Sequence, residues 1–301
     1  MNNNVYIRSE RSIMTISLAR ILFIMPLVIY GFYKNGIYLY QNDYVSLINM
    51  FRPLYFIFGG AIIGALVNII YERLIKKNDD SLLTIIFSSF HVEYGIILGA
   101  VMSINANIAI FLGVLFVVLF ASKFTNNRIN TMAFCFILIY IIESTISSFV
   151  YANPYESANS FSLSFMDYMI GRGPGGIAST HVILLFVAII GLELTNSNKT
   201  SIAISAIAIF TLAVGIESII TNSNFLDNYF INNYPFIFTF IATDSVTSCY
   251  TIRGKVVFGL AIGLLSFGLS LWNAILAPYI AILVVSLFNN LIDRKANILN
   301  K

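Results

Sequence analysis

The run INANIAIFLGVLFVVLFAS, from Ile104 to Ser122, holds no charged residue in nineteen positions. A helix needs about 20 mostly apolar residues to cross the hydrocarbon core of a bilayer, and this run has that length and character. Working outward from it, comparable runs fall near 13–33, 54–71, 82–102, 131–151, 177–196, 201–222, 231–244, 254–272 and 274–292, which makes ten. Composition agrees: of 301 residues, 58% are hydrophobic and only 10% charged, against about 25% charged in a soluble domain. So few charges cannot clothe a water-facing surface. A soluble globular enzyme, a disordered chain and a nucleic-acid binder are excluded, and the lipid bilayer becomes the first partner. The expected fold class is an all-α polytopic membrane protein of about ten transmembrane helices. The two cysteines, Cys135 and Cys249, make no metal-ligand spacing and no disulfide framework.

The basic residues test the span count. With ten spans, Arg73, Lys76, Lys77, Lys123, Arg128, Lys199, Arg253 and Lys255 join the basic termini (Arg8, Arg11, Arg294, Lys295 and Lys301) on one side, 13 residues in all, and only Lys34, Arg52 and Arg172 face the other. Cytoplasmic loops carry the excess of Lys and Arg, so both termini are expected in the cytoplasm and the chain in the cell (inner, cytoplasmic) membrane. The first span lacks a small-residue cleavage site and reads as an anchor. The chain reads as one integral membrane domain over 1–301. An extracytoplasmic loop at 152–176 divides it into halves of about 1–151 and 177–301. Five spans per half would invert one half relative to the other, as in many transporters.

The third run contains His91 and Glu93, and the eighth starts at Pro235 and ends at Asp244. Both read as broken or half-length helices packed inside the bundle. Ionisable groups within spans cost roughly 2.5–3.5 kcal/mol each on insertion scales, and this chain keeps His91, Glu93, Glu143, His181, Glu193, Glu217 and Asp244. Glu217 and Asp244 are the candidates for cation coupling. A half-helix ending at Asp244 would leave carbonyl oxygens for a hard cation such as sodium. Glu193, near a span end, is expected to reach water, and Arg20 to reach the headgroups. His91 and Glu93 lie two apart and would share a face only on extended backbone.

Two polar stretches stand out. Gly171-Arg172-Gly173-Pro174-Gly175-Gly176 precedes the sixth span, and such a turn can offer backbone N–H groups to an anion such as phosphate. Ala242 to Lys255, ATDSVTSCYTIRGK, is dense in hydroxyls between two apolar runs. This second stretch resembles the signature of the RnfD/NqrB family, membrane subunits of the Rnf and Na⁺-translocating NADH:quinone reductase complexes. The family pattern is close to A-T-D-P-V-T-S-P-x-T-x-x-G-K followed by F-G. Ala242, Thr243, Asp244, Val246, Thr247, Ser248, Thr251, Gly254, Lys255, Phe258 and Gly259 match, while Ser245 and Cys249 replace two prolines. Ala281 to Asp293, AILVVSLFNNLID, is similar to the family's ending. Gly171 to Thr180, GRGPGGIAST, resembles its L-G-x-x-P-G-S-I-G-E-T-S block, with Ser179 in place of Glu. Lys123 and Asn127-Arg128-Ile129-Asn130 resemble its lysine and N-P-F-N-P-A motif without the prolines.

The resemblance implies a membrane subunit of a flavin-dependent, ion-translocating electron transport complex. Such a chain would be part of a redox-driven translocase, not a complete enzyme, and would need other membrane and peripheral subunits. Consistent with that, no G-x-G-x-x-G dinucleotide fingerprint follows a strand in this sequence. Family members carry FMN linked through its phosphate to a threonine in S-G-A-T. Here Glu156-Ser157-Ala158-Asn159-Ser160-Phe161 places Ser160 at that threonine, without the Gly-Ala pair that the attaching transferase reads. Noncovalent riboflavin is the other implied cofactor. Gly175, Gly176, Thr180, Thr243 and Thr247 are the remaining candidate flavin-binding residues. A non-redox transporter or channel, and a flavin-free scaffold subunit, stay open as alternatives.

Overall fold

The computed structural model describes residues 12–125, 129–147, 149–155 and 163–298. Among these, every regular element is a helix. Helices α1 (Ile13–Gln41) and α2 (Arg52–Ile75) are followed by α3 (Leu82–Ile86), α4 (His91–Val101), α5 (Ile108–Ser122), α6 (Thr131–Ile146) and α7 (Phe165–Ile170). Then come α8 (Val182–Leu194), α9 (Thr200–Thr221), α10 (Phe225–Phe230), α11 (Tyr234–Phe240), α12 (Ile252–Ser270), α13 (Ala277–Leu287) and α14 (Asn289–Ile298). Side-chain acceptors from Asn107, Asn130, His181 and Thr251 cap the N-termini of α5, α6, α8 and α12, satisfying N–H groups that a helix start leaves orphaned.

Four helices, α1, α2, α9 and α12, are long and apolar enough to cross a membrane, and α4, α5, α6, α8 and α13 are shorter apolar helices. Large apolar side chains such as Leu22, Ile29, Leu194 and Ile219 stand fully outward, as a lipid-facing surface requires. Each of the ten apolar runs contains a helix. The third is broken into α3 and α4, and the eighth is reduced to the seven residues of α11. Every residue of α4 and every residue of α11 is buried. Wrapped in protein, these two helices can stop short inside the bundle because side chains and neighbouring backbone satisfy their ends.

Glycine sets the closest helix contacts. On α2, Gly60 and Gly64 meet Gly95 and His91 of α4, and Gly99 meets Phe56, so the helices run antiparallel with backbones touching. On α12, Gly259 and Gly263 meet Ile202 and Ala206 of α9 in the same order, so that pair is parallel. Spacing small residues four apart lets helix backbones approach where lipid gives no hydrophobic drive between helices.

Arg20 does not reach the headgroups. It is 1% exposed and lies between α4 and the end of α11, because a buried carboxylate and a helix-end carbonyl both await it there. His91 and Glu93 are both helical, and they face different neighbours rather than sharing an extended segment.

Candidate functional site

The two short buried helices converge on a polar cluster. Arg20 of α1 links them: its Nη1 pairs with Glu93 Oε1 at 2.6 Å, and its Nη2 donates to the Phe240 carbonyl at the end of α11 at 2.5 Å. Next to Glu93 on α4, the Tyr94 hydroxyl donates to Asp244 Oδ1 at 2.6 Å. The other Asp244 oxygen accepts from the Thr247 N–H at 3.1 Å and the Thr247 hydroxyl at 2.7 Å. Glu93 is 1% and Asp244 2% exposed. Among the described residues, no ammonium or guanidinium lies within ion-pair distance of Asp244. One guanidinium is thus in contact with only one of two buried carboxylates.

The polar run after α11 is braced from several sides. Asn130 Nδ2, at the start of α6, donates to the Ile241 carbonyl and to the Thr247 hydroxyl, each at 3.1 Å. Asn198 Nδ2 donates to the Thr239 carbonyl at 2.9 Å, and Asn289 Nδ2 to the Thr247 carbonyl at 2.9 Å. Lys199 Nζ donates to the Ser245 and Ser248 carbonyls and the Ser248 hydroxyl at 2.9–3.2 Å, and lies 3.9 Å from the Tyr250 ring centroid. Burial lowers the Lys199 pKa to about 8, against the opposing pull of Asp244. Beside it a cleft of ≈ 390 Å³ opens between the α8–α9 turn and Ser245, Tyr250 and Lys255. Asp293 of α14 accepts from the N–H groups of Tyr250 and Thr251 at 2.9 and 3.1 Å, which fixes the end of the run. The expected row of free carbonyls is therefore filled by protein: Arg20, Asn130 and Asn198 occupy Phe240, Ile241 and Thr239.

The family model NQR2, RnfD, RnfE matches residues 1–298. The chain belongs to the NQR2, RnfD, RnfE family. It is therefore a membrane subunit of an Rnf/Nqr-type complex, a class in which other subunits are partners. Comparison with individual curated proteins gives no match.

The other candidates of this family member lie apart. Gly175, Gly176 and Thr180 sit at the far end of α4. Gly176 faces the Val101 carbonyl and the Ser179 hydroxyl, and Gly175 faces Asn233 and Thr180. The glycine turn presents carbonyls rather than N–H groups to its charged neighbour. Lys34, fully buried, donates to the Gly171 carbonyl at 2.8 Å, the Gly173 carbonyl at 2.5 Å and the Thr180 hydroxyl at 3.3 Å. Lys34 comes from a π turn at Tyr33–Ile37, and sequence reasoning had only counted it among the outer charges. Thr243 bonds back to the Thr239 carbonyl at 2.5 Å, and Thr247 serves Asp244. Tyr94 and Val101 are seven residues apart along α4, roughly 10 Å, and mark these two places. The five described flavin candidates lie at two separate places, and a side chain on Gly175 or Gly176 would meet Asn233 and Thr180 or Val101 and Ser179. Ser160 lies outside the described residues.

Glu217 is half-buried near the end of α9, one turn before Thr221. Lys199 and the Asp244 cluster are at the other end of that helix, so Glu217 and Asp244 are not one site. Glu143 is buried and accepts from the Asn107 N–H at 2.6 Å and the Ser147 hydroxyl at 3.1 Å, which caps α5. Glu193 is exposed and accepts from the Thr200 hydroxyl, as its place near a span end suggested. Arg20 and Lys34 are the residues that sequence reasoning missed. The signal available was a lone cation inside an apolar run that also offers lone carboxylates elsewhere.

Proposed function

We propose that this chain carries a monovalent cation, Na⁺ or H⁺, through the membrane part of a flavin-dependent Rnf/Nqr-type electron transport complex. The carrying observation is the cluster in which Arg20 contacts Glu93 while Asp244 is buried without a cation in contact. A buried carboxylate favours either protonation or a partner cation, and intramembrane ionisable groups commonly mark ion or proton paths. Tyr94, Thr247 and the Asp244 carboxylate supply hard oxygen atoms for that purpose. Asp244→Asn removes the charge while keeping the size. In membrane vesicles containing the assembled complex, it should abolish cation uptake while electron transfer continues at a reduced rate. Unchanged uptake rejects the role.

The flavin part of the reading rests on family membership and on Ser160 in the loop. FMN, when bound, supplies one- and two-electron redox chemistry, and the protein contributes its attachment and partners. Fluorescence of the denatured chain in a gel, with Ser160→Ala as control, tests attachment. One observation favours a second reading, a subunit without a buried flavin: the described candidates are tightly packed and separated. A flavin-free purified complex that still transports the cation would select that reading. The side bearing Arg73, Lys123, Lys199 and Arg253 is assigned to the cytoplasm on the positive-inside rule.

A further inference from the structure

The Asp244 cluster holds three ionisable groups that are each at most 2% exposed: Arg20, Glu93 and Asp244. They comprise two carboxylates and one guanidinium, so the guanidinium has a choice of partner. In the structure it takes Glu93, with Nη1 2.6 Å from Oε1. Its Nη2 donates to the Phe240 carbonyl, four residues before Asp244 in the chain. Its Nε is buried without an acceptor, so the group has a donor to spare. The choice is made by α4. Glu93 on that helix supplies the counter-charge for Arg20, and the next residue, Tyr94, gives Asp244 a neutral hydroxyl. Backbone contact of Gly95 with Gly60 holds this turn of α4 against α2. Another cation whose field reaches Asp244, Lys199, is taken up by the Ser245 and Ser248 carbonyls.

A buried ion pair adds little stability over apolar side chains of similar volume, so stability does not account for Glu93 on this helix. Charge does account for it. A buried guanidinium without a counter-charge is strongly unfavourable, and opposite charges attract far more strongly in a protein interior than in water. With Glu93 neutral, the carboxylate left to Arg20 in this cluster is Asp244. A guanidinium seated on Asp244 would take the place of a mobile cation. We infer that Glu93 is a positioning residue: it holds Arg20 away from Asp244 and so keeps that carboxylate open to the transported cation. Tyr94 complements this, because a hydroxyl stabilises a carboxylate by hydrogen bonding without neutralising it. The inference rests on the reading of Asp244 as the cation-carrying group, and it adds what keeps the chain's own charge out of that site.

The test uses membrane vesicles containing the assembled complex, with radioactive sodium as the probe and a pH-sensitive dye for proton entry where sodium does not enter. Uptake is measured against cation concentration. Glu93→Gln should raise the half-saturating concentration by about tenfold or more, because a guanidinium now competes for Asp244. Its uptake at saturating cation should stay near that of the wild type, a split that loss of structure alone would not produce. Adding Arg20→Met removes the competitor and should bring half-saturation back to within about threefold of the wild type. This double variant leaves neither member of the ion pair buried alone, so it keeps the test decisive if Glu93→Gln fails to assemble. An unchanged half-saturation in Glu93→Gln overturns the inference, and so does a weakening that persists in the double variant. Asp244→Asn separates the two levels. Intact uptake in that variant rejects the reading of Asp244 itself, whereas lost uptake there beside unchanged half-saturation in Glu93→Gln removes only the role of Glu93.

Discussion

The two buried half-helices do similar work by different means. Helix α4 is held by backbone against backbone: Gly60, Gly64, Gly95 and Gly99 bring it against α2 with no side chain between. Helix α11 is held by rings: Tyr234 stacks on Phe210 of α9 at 4.2 Å, and Phe238 meets the same Phe210 at 5.7 Å. The difference follows from what each carries. Helix α4 bears Glu93 and Tyr94, whose geometry toward Arg20 and Asp244 must be fixed, and a glycine contact leaves no rotamer to adjust. Helix α11 bears no charge of its own and ends in carbonyls that Arg20, Asn130 and Asn198 reach from outside. Rings that can shift slightly are tolerated there. Charge is placed on the stiffer element.

The largest expected effect tests the link between the two helices. Arg20→Met leaves Glu93 buried without its partner and should cost about 3–5 kcal/mol, read as thermal unfolding in detergent. Adding Glu93→Gln should recover much of that loss. No recovery would mean that Arg20 matters through packing or the Phe240 carbonyl alone. Gly95→Ala places a methyl group against the Gly60 backbone and should cost about 3 kcal/mol, at the upper end of overpacking. Phe238→Leu on α11 should cost about 1 kcal/mol, because the neighbouring rings can close on the smaller side chain. Equal losses from Gly95→Ala and Phe238→Leu would break the comparison.

A smaller effect concerns the lysines beside these helices. Lys123 Nζ donates to Ser89 just before α4 at 3.1 Å, and Lys199 grips the loop after α11. Burial lowers both to about 8. A lysine whose folded pKa lies below its unfolded value binds fewer protons when folded, so stability rises with pH through that interval. The wild type should therefore gain thermal stability between pH of about 8 and about 10.5. Lys199→Arg, which stays protonated throughout, should lose part of that gain. An identical pH profile would remove Lys199 from the account. The smallest effect is at Cys249, whose thiol is pushed up to about 12, mainly by burial. It should react with maleimide at pH 7.5 far more slowly than an unfolded control, and rapid labelling would show that the loop after α11 opens.

Much of the architecture was legible because hydropathy and run length are local properties. Pro235, Asp244, His91 and Glu93 marked the two runs that could not be plain spans, since each puts a helix break or a charge where lipid would reject it. Asp244 itself was legible from the dense hydroxyls around it. What could not be read was pairing at long range. Arg20 lies 220 residues from Phe240, and Lys34 lies 137 residues from Gly171, so nothing local distinguishes either from a snorkelling cation. The glycine turn misled for a related reason. Composition shows that a backbone can approach a ligand closely, but the direction its carbonyls face depends on what the fold brings beside it. Glu217 fell inside an apolar run and was therefore a candidate for cation coupling, yet α9 ends one turn later.

Lys34 has a consequence for ion movement. An ion that crosses a membrane must leave each oxygen ring it enters. The side-chain nitrogen of Lys34 sits among the oxygens of Gly171, Gly173 and Thr180, but it is bonded to α1 and cannot travel. A nitrogen held in that way is a tethered donor that stays with those oxygens. The oxygens of the glycine turn are thereby filled by the chain's own covalent structure, which ties α1 to the segment before α8.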